Sequence, residues 1–167
     1  MGSKLVRFFV KPFPNSRVIG KTVIQKLDAG IEDNTIPGLW ESMKQDGSLE
    51  ALTALPYQLG QNGDTVGWMG DFHPGDTEYT YLAGVLVQAG APVPEGYAYR
   101  DIVSCDVAVG WLQESEGPEG GDLFANASEN LAKAMQANGY EYDPTKGLFE
   151  MEYYSCERFY TAEARGE

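Results

Sequence analysis

The sequence has few cysteines and one histidine, and these shortages exclude two kinds of site. Its two cysteines are too few for the disulfide framework of a small secreted domain. We therefore expect both thiols to be reduced and the protein to be cytoplasmic. A single histidine and two distant cysteines do not supply the usual ligands of zinc. The sequence predicts no metal site, and no cofactor is expected.

Basic residues are also scarce, which leaves the chain strongly acidic. It has 12 Lys and Arg against 25 Asp and Glu, a net charge of −13. Such a surface repels phosphates and anionic lipid headgroups, whereas it attracts an organic cation. We expect no direct binding to nucleic acid or to a membrane. The chain also lacks the run of about 20 apolar residues that a membrane-spanning helix needs.

The hydrophobic pattern predicts strands and helices in two halves. Strands are expected at 17–25, 65–72, 78–87, 97–103, 106–113 and 148–155, and helices from Ile36 to Gly47 and from Asp122 to Gly139. The run at 78–87 is apolar on both faces, as in a central strand covered on both sides. The length fits a single domain over residues 1–167. The layout predicts an α+β fold, with two helices on one face of a mostly antiparallel sheet.

The segment 148–154 is the strongest local candidate for a site. Alternation on a strand places two acids and a phenol on one face, namely Glu150, Glu152 and Tyr154. If the opposite face, which begins with Phe149, packs on the helices, the two carboxylates line the other surface. Neighbouring carboxylates repel, so one of them can hold its proton near neutral pH. Such a pair can bind a cation or move a proton, although the same pattern also describes a solvated acidic face.

Aromatic residues are the second candidate feature. The chain has three tryptophans and ten tyrosines. The members proposed to line a ligand pocket are Trp40, Trp68, Tyr79, Tyr81 and Trp111. Aromatic walls with a few acids suit flat or cationic organic ligands, which they bind by stacking and by cation–π attraction. The alternative is that these rings simply fill the core.

Several short motifs follow one another in a characteristic order. They are Arg17-Val18-Ile19-Gly20, Ile36-Pro37-Gly38-Leu39-Trp40, Tyr79-Thr80-Tyr81-Leu82-Ala83-Gly84-Val85, Val93-Pro94-Glu95-Gly96, Val107-Ala108-Val109-Gly110-Trp111 and the strand Glu150–Tyr154. Their order and spacing, over about residues 5–160, resemble the GyrI-like small-molecule-binding family. The resemblance implies tandem strand-helix-strand-strand modules, at about residues 5–90 and 97–160, with a central ligand groove.

The resemblance also implies a ligand contact and a range of functions. In that family a glutamate in a Glu-x-aromatic motif on the last strand contacts cationic ligands. Glu152-Tyr153-Tyr154 matches this motif best, and Glu150 is the competing register. Members serve as effector domains of multidrug-sensing regulators, as gyrase-inhibitor-like proteins and as drug-binding proteins. No helix-turn-helix fits before Arg17, so we do not expect a DNA-reading regulator.

One branch of that family is enzymatic. Some free-standing members open the cyclopropane ring of DNA-alkylating natural products and so protect the cell. The ending Tyr154-Ser155-Cys156-Glu157-Arg158-Phe159 is similar to that branch. In such an enzyme Glu152 or Glu150 would orient or deprotonate a water, and a hydroxyl such as that of Tyr154 would hydrogen-bond the oxygen that gains negative charge.

Three functions therefore stay open at the level of sequence. The first is a stand-alone protein that binds a drug-like small molecule, with Glu152 as the charged anchor. The second is the cyclopropanoid hydrolase that uses the same pocket. The third is a protein interaction through the acidic surface, such as mimicry of the charge of DNA. The expected partner in the first two is a small-molecule ligand, and a homodimer is left open.

Overall fold

The computed structural model describes residues 3–114, 126–142 and 148–156. Within these ranges the strands are β1 (Ser3–Phe13), β2 (Ser16–Lys26), β3 (Thr65–Gly70), β4 (Glu78–Gln88), β5 (Ala98–Ile102), β6 (Cys105–Glu114) and β7 (Glu150–Tyr154), and the α-helices are α1 (Ile36–Gln45), α2 (Ser48–Thr53) and α3 (Ala127–Ala137). All strand pairs are antiparallel. The α+β fold class that the sequence predicts is confirmed.

The described elements form two compact units. The first unit consists of β1, β6 and α3, and the second unit consists of the other elements. Each unit therefore combines segments that are distant in sequence, since β1 pairs with β6 rather than with β2. A single domain with modules at about residues 5–90 and 97–160 stays a prediction.

The second unit is built on a five-stranded sheet in the order β5-β2-β4-β3-β7. Strand β4 lies at its centre, and every residue from 80 to 87 is buried. Its pairing with β2 runs from Gln88, opposite Ser16, to Glu78, opposite Lys26. The prediction of a central strand covered on both faces is therefore confirmed.

Helices α1 and α2 cover one face of this sheet. Leu39 and Met43 of α1 and Leu52 of α2 pack into one core with sheet residues that include Ile19 and Tyr81. These side chains are almost fully removed from water, and each contributes about 1.5–3 kcal/mol of transfer free energy. This core fixes α1 over β4, and thereby fixes the indole that α1 carries.

Helix α1 begins at the predicted residue, Ile36, directly before a proline. Thr35, the preceding residue, is tied to β2 because its backbone N–H and its hydroxyl both donate to Gln25 Oε1, at 3.2 and 2.8 Å. The helix ends shortly before Gly47, whose φ of 79° is strain-free only for glycine. The sequence did not predict α2, because its six residues are too few to show a helical repeat.

In the first unit, β1 and β6 pair along their full length and α3 packs on them. Gly110 of β6 faces the helix, since a Cβ there would lie 3.1 Å from Leu131 Cδ1. The chain leaves α3 through Gly139, whose φ of 77° confirms the predicted left-handed end. The predicted N-terminal cap, Asp122, lies outside the described residues, and Asn126 directly precedes the helix.

Three further observations concern the described part of the chain alone. Cys105 lies in the first unit and Cys156 in the second, and they form no disulfide. No helix in these ranges has both the length and the apolarity that crossing a membrane requires. No group of three or more His, Cys, Asp and Glu side chains is arranged there to hold a metal ion.

Strands β2 and β4 approach each other closely at two glycines, Gly20 and Gly84, which lie opposite each other. A Cβ on Gly84 would lie 1.9 Å from the carbonyl oxygen of Ile19, and one on Gly20 would lie 1.9 Å from that of Ala83. Backbone carbonyls cannot move aside as the ends of side chains can. The two central strands therefore require glycine at both positions.

We expect Gly84→Ala to lower the free energy of unfolding by about 1–3 kcal/mol or more, because the central strands must separate. Gly38→Ala is the matched control, since Gly38 is exposed in α1 and a Cβ there meets nothing within 4 Å. This control should be neutral or stabilising by up to about 1 kcal/mol. Urea unfolding of both variants and the parent measures the difference. Equal midpoints for the two variants would contradict the close approach of β2 and β4.

Candidate functional site

A carboxylate on β7 accepts hydrogen bonds from two tyrosines. Strand β7 pairs with β3 so that Glu152 lies opposite Gly67 and Tyr154 lies opposite Thr65. The hydroxyl of Tyr154, on the same strand face, donates to Glu152 Oε2. The hydroxyl of Tyr81, on β4, donates to the same oxygen over 3.3 Å. Two phenols from different strands therefore converge on one carboxylate oxygen.

Helix α1 contributes Trp40 to this group. Its indole Nε1 donates to the hydroxyl oxygen of Tyr81 at 3.0 Å. Its ring meets the ring of Tyr154 edge-on, with centroids 5.7 Å apart and planes at 81°. The same indole thus supports both phenols that bind Glu152. We call Trp40, Tyr81, Glu152 and Tyr154 the carboxylate cluster.

The carboxylate cluster depends on the absence of a side chain at Gly67. A Cβ there would lie 2.1 Å from the hydroxyl oxygen of Tyr81 and 3.0 Å from Glu152 Oε2. Tyr81 is paired with Met69 of β3, so its ring leans along β3 and over Gly67 to reach β7. Any larger residue at this position would separate the phenol from the carboxylate.

Both phenols of the cluster keep their protons well above neutral pH. The pKa of Tyr81 and that of Tyr154 are raised, first by burial and then by the negative charge of Glu152. Burial also raises the pKa of Tyr79, with smaller contributions from the charges of Glu152 and Glu150. The two cluster tyrosines therefore act as hydrogen-bond donors to the carboxylate throughout the physiological range.

Most of the site residues proposed from the sequence lie on the side of the sheet that α1 covers. They are Trp40, Tyr79, Tyr81, Glu150, Glu152 and Tyr154. Glu152, rather than Glu150, receives the two phenol hydrogen bonds. Glu150 lies two residue pairs further along, opposite Met69, and its charge contributes to the raised pKa of Tyr79.

The acidic face of β7 is therefore the one that faces α1, which reverses the expected packing of the Phe149 face on the helices. The reason lies in the pairing with β3. Gly67 leaves room for a carboxylate on the helix side, whereas on the other side Met151 lies opposite the buried ring of Trp68. Local alternation shows which residues of β7 share a face, but not which of the two faces meets the helices.

The other two tryptophans each face an arginine of this chain. Trp68 lies on the opposite face of β3 from Gly67, and its ring centroid is 5.9 Å from Arg100 Cζ. Trp111 belongs to the first unit, and its ring centroid is 4.7 Å from Arg7 Cζ. Among the described residues, no lysine or arginine lies over the ring of Trp40. Trp40 is thus the tryptophan whose surroundings suit an external cation.

Sequence reasoning missed a further carboxylate, Asp64, which is more deeply buried than Glu152 and only 9% exposed. It accepts hydrogen bonds from the hydroxyl of Tyr153 at 2.5 Å, and from the backbone N–H groups of Cys156 at 2.8 Å and Gln61 at 3.2 Å. Burial opposes its charge, but these hydrogen bonds outweigh burial and lower the pKa of Asp64. Asp64 therefore fastens the end of β7 to the turn before β3. In the sequence it is only one residue of the polar segment Gln61-Asn62-Gly63-Asp64, which is typical of a turn.

An apolar cavity of about 300 Å³ lies elsewhere in the second unit. Its walls come from the segments that follow α2 and β4, and they include Pro56, Tyr57, Pro92 and Pro94. No acidic or basic side chain and no member of the carboxylate cluster lines it. A ligand of Glu152 would therefore bind at a different place from this cavity.

Solved structures share this fold, although no protein-family model and no curated protein matches the sequence. One is an integron cassette protein from the mobile metagenome of Vibrio cholerae, with a TM-score of 0.54, 13% identity, and coverage of 93% of this chain and 92% of that chain. A second is SAV2435 bound to tetraphenylphosphonium, with a TM-score of 0.56, 13% identity, and coverage of 89% and 93%. A third, from Staphylococcus aureus MU50, is named as a bacterial transcription regulation protein, with a TM-score of 0.54, 13% identity, and coverage of 89% and 96%. At this identity the comparisons show a common fold alone.

The raised pKa values of the cluster tyrosines predict how stability changes at alkaline pH. A tyrosine whose folded pKa exceeds its unfolded value of about 10 contributes stability that is complete below that value and lost as pH rises above it. We expect the Tm to fall above about pH 10, and to fall less steeply in Tyr154→Phe, which lacks one such group. Tyr57→Phe is the control, because Tyr57 is exposed. Differential scanning calorimetry measures the Tm of the parent and both variants from about pH 9 to about pH 11. If the Tm fell equally with pH in all three proteins, this account would be contradicted.

Proposed function

We propose that this protein binds a drug-like small molecule, planar or cationic, at the carboxylate cluster, with Glu152 as the charged anchor. The observation that carries the proposal is the convergence of the Tyr81 and Tyr154 hydroxyls on Glu152 Oε2. These two donors orient the carboxylate in a half-buried aromatic setting. A charge in such a setting attracts a cation more strongly than the same charge in bulk water.

Aromatic rings supply the apolar part of the proposed site. Trp40 of the cluster is half-buried, and Tyr79 adds a half-buried ring, packed at 5.7 Å against Phe72. Tyr81 is fully buried and contributes its hydroxyl rather than a ring face. Ring faces bind flat molecules by stacking and cations by cation–π attraction. We do not include Trp68 or Trp111, because an arginine near each ring would repel a cation.

The comparison of folds supports the same function. SAV2435, whose fold this chain shares, was solved with tetraphenylphosphonium, a phosphorus cation surrounded by phenyl rings. A positive centre within aromatic groups is the chemistry that Glu152 and Trp40 match. Together with the GyrI-like sequence motifs, this supports small-molecule binding for the present chain. An effector role, the cytoplasmic location and a homodimer stay predictions.

Replacing Glu152 with Gln tests the anchor, because it keeps the shape and removes the charge. We expect the affinity for tetraphenylphosphonium to fall by about ten- to hundred-fold, since the attraction between a cation and a carboxylate about 6 Å apart is about 3 kcal/mol at an effective dielectric constant of about 20. An uncharged planar ligand held by stacking should lose little. Glu50→Gln, an exposed change on α2, is the matched control. Isothermal titration calorimetry measures the affinity of the parent, Glu152→Gln and Glu50→Gln for both ligands.

A further variant, Glu150→Gln, separates the two registers of the acidic strand. If Glu150→Gln lowered the affinity for tetraphenylphosphonium and Glu152→Gln did not, the charged anchor would be Glu150 instead of Glu152. If neither variant differed from the parent, the acidic strand would be a solvated face and the proposed binding site would be wrong.

A second candidate function, the opening of a cyclopropane ring in a DNA-alkylating natural product, uses the same cluster. The observation that favours it is a carboxylate that lies beside two phenols held in their protonated form. Glu152 would orient or deprotonate a water that attacks the strained ring carbon. The hydroxyl of Tyr154 would then turn its single O–H from Glu152 to the oxygen that gains negative charge.

The hydrolase candidate predicts a different response of Glu152→Gln. Substrate binding should be nearly unchanged, whereas turnover should fall by about a hundred-fold or more, because general acid–base catalysis is lost. Mass spectrometry of the ring-opened product, with the parent and Glu50→Gln as references, measures this. If the parent in excess gives no ring-opened product, or if Glu152→Gln gives the same rate as the parent, Glu152 is not a catalytic base.

A further inference from the structure

One face of the β1–β6 sheet has a charge opposite to that of the whole protein. The register of β1 shifts between Leu5 and Arg7. This bulge places Lys4 on the same face as Arg7, although simple alternation would put residues three apart on opposite faces. The face that points away from α3 consists of Lys4, Arg7, Phe9, Lys11 and Phe13 on β1, and of Gln113, Trp111, Val109, Val107 and Cys105 on β6. It carries three basic residues and no acidic residue, in a chain whose net charge is −13.

Arg7 is held by two aromatic rings on this face. Its Cζ lies 4.8 Å from the ring centroid of Phe9 and 4.7 Å from that of Trp111. The other described arginines, Arg17 and Arg100, each bind an aspartate instead. In the described part of the chain Arg7 makes no hydrogen bond or ion pair, and its side chain is exposed. The guanidinium thus lies beside two aromatic rings and is accessible to a ligand from solvent.

We propose that this face binds a small aromatic carboxylate through Arg7. The edge of a guanidinium presents parallel N–H donors whose spacing matches the two oxygens of a carboxylate. Because the Arg7 side chain already packs against Phe9 and Trp111, less side-chain entropy is lost when the acid binds than for an arginine without such contacts. The aromatic body of the ligand then packs beside these two half-buried rings and Val109.

The spacing of the charges favours a small acid over a polyanion. Judged by their partners on β6, Lys4 lies about 7 Å and Lys11 about 13 Å from Arg7 along the strands. Both lysines therefore strengthen the local positive potential, but neither is close enough to bind the same carboxylate as Arg7. A nucleic acid or an anionic bilayer would meet the strongly acidic remainder of the protein as well, and that remainder repels it. The site is independent of the proposed function, because the carboxylate cluster belongs to the other unit and takes the opposite charge.

Titration with 2-naphthoate tests the proposal on the intact protein. We expect saturable binding that weakens by about tenfold or more in Arg7→Gln. Arg7→Lys should weaken it similarly, because an ammonium keeps the charge but lacks the paired donor edge. Lys26→Gln, an exposed change on β2, is the matched control and should bind like the parent. Glu152→Gln should also bind like the parent, which separates this site from the carboxylate cluster.

Two measurements on the parent keep the test decisive if the Arg7 variants are poorly folded. In NMR spectra, 2-naphthoate should shift the Nε–Hε signal of Arg7 and the indole N–H of Trp111, whereas uncharged 2-naphthylmethanol should shift neither at the same concentration. Several results would overturn the proposal: no saturable binding, equal affinity in a folded Arg7→Gln variant, or shifts that spare Arg7. Tighter binding of a single-stranded oligonucleotide or of phosphatidylserine vesicles than of 2-naphthoate would overturn it as well.

Discussion

The burial of β4 on both faces is the constraint on which the candidate site depends. A tyrosine in a fully covered strand must find a hydrogen-bond partner for its hydroxyl, because an unpaired buried hydroxyl costs about 1–3 kcal/mol. Tyr81 accepts from the indole of Trp40 and donates to Glu152. The helix and the last described strand are thus joined through a polar group at the centre of the sheet. The same hydrogen bonds that satisfy Tyr81 hold the Glu152 carboxylate in place.

The sequence predicted elements well where the evidence is local. The β-branched run at 17–25 became β2, and the alternation at 148–155 correctly placed Glu152 and Tyr154 on one face. The sequence did not predict which strands are neighbours, because β3 and β7 are far apart in the chain and local hydrophobic periodicity does not relate their residues. For that reason it could not distinguish Trp40 from Trp68, nor foresee that Gly67 leaves the space in which Tyr81 meets Glu152.

Net charge describes the surface as a whole and not a single face. A value of −13 argues against polyanions, which contact a wide area. It says nothing about the few square nanometres around Arg7, where one bulge gathers the basic residues of β1 on one side. Bulges of this kind leave no clear trace in sequence periodicity, so the charge of a strand face has to be read from the register of its pairing.

The position of β7 in the chain has a consequence for how the protein is made. Tyr81 and Glu152 are 71 residues apart, and Asp64 and Cys156 are 92 apart. On the ribosome, β2, β3 and β4 can pair before β7 is synthesised. Until β7 arrives, β3 has an open edge that can recruit other chains, and the Asp64 carboxylate lacks its hydrogen bonds from Tyr153 and Cys156. The carboxylate cluster and the protection against edge-to-edge aggregation are therefore completed in the same late step of synthesis.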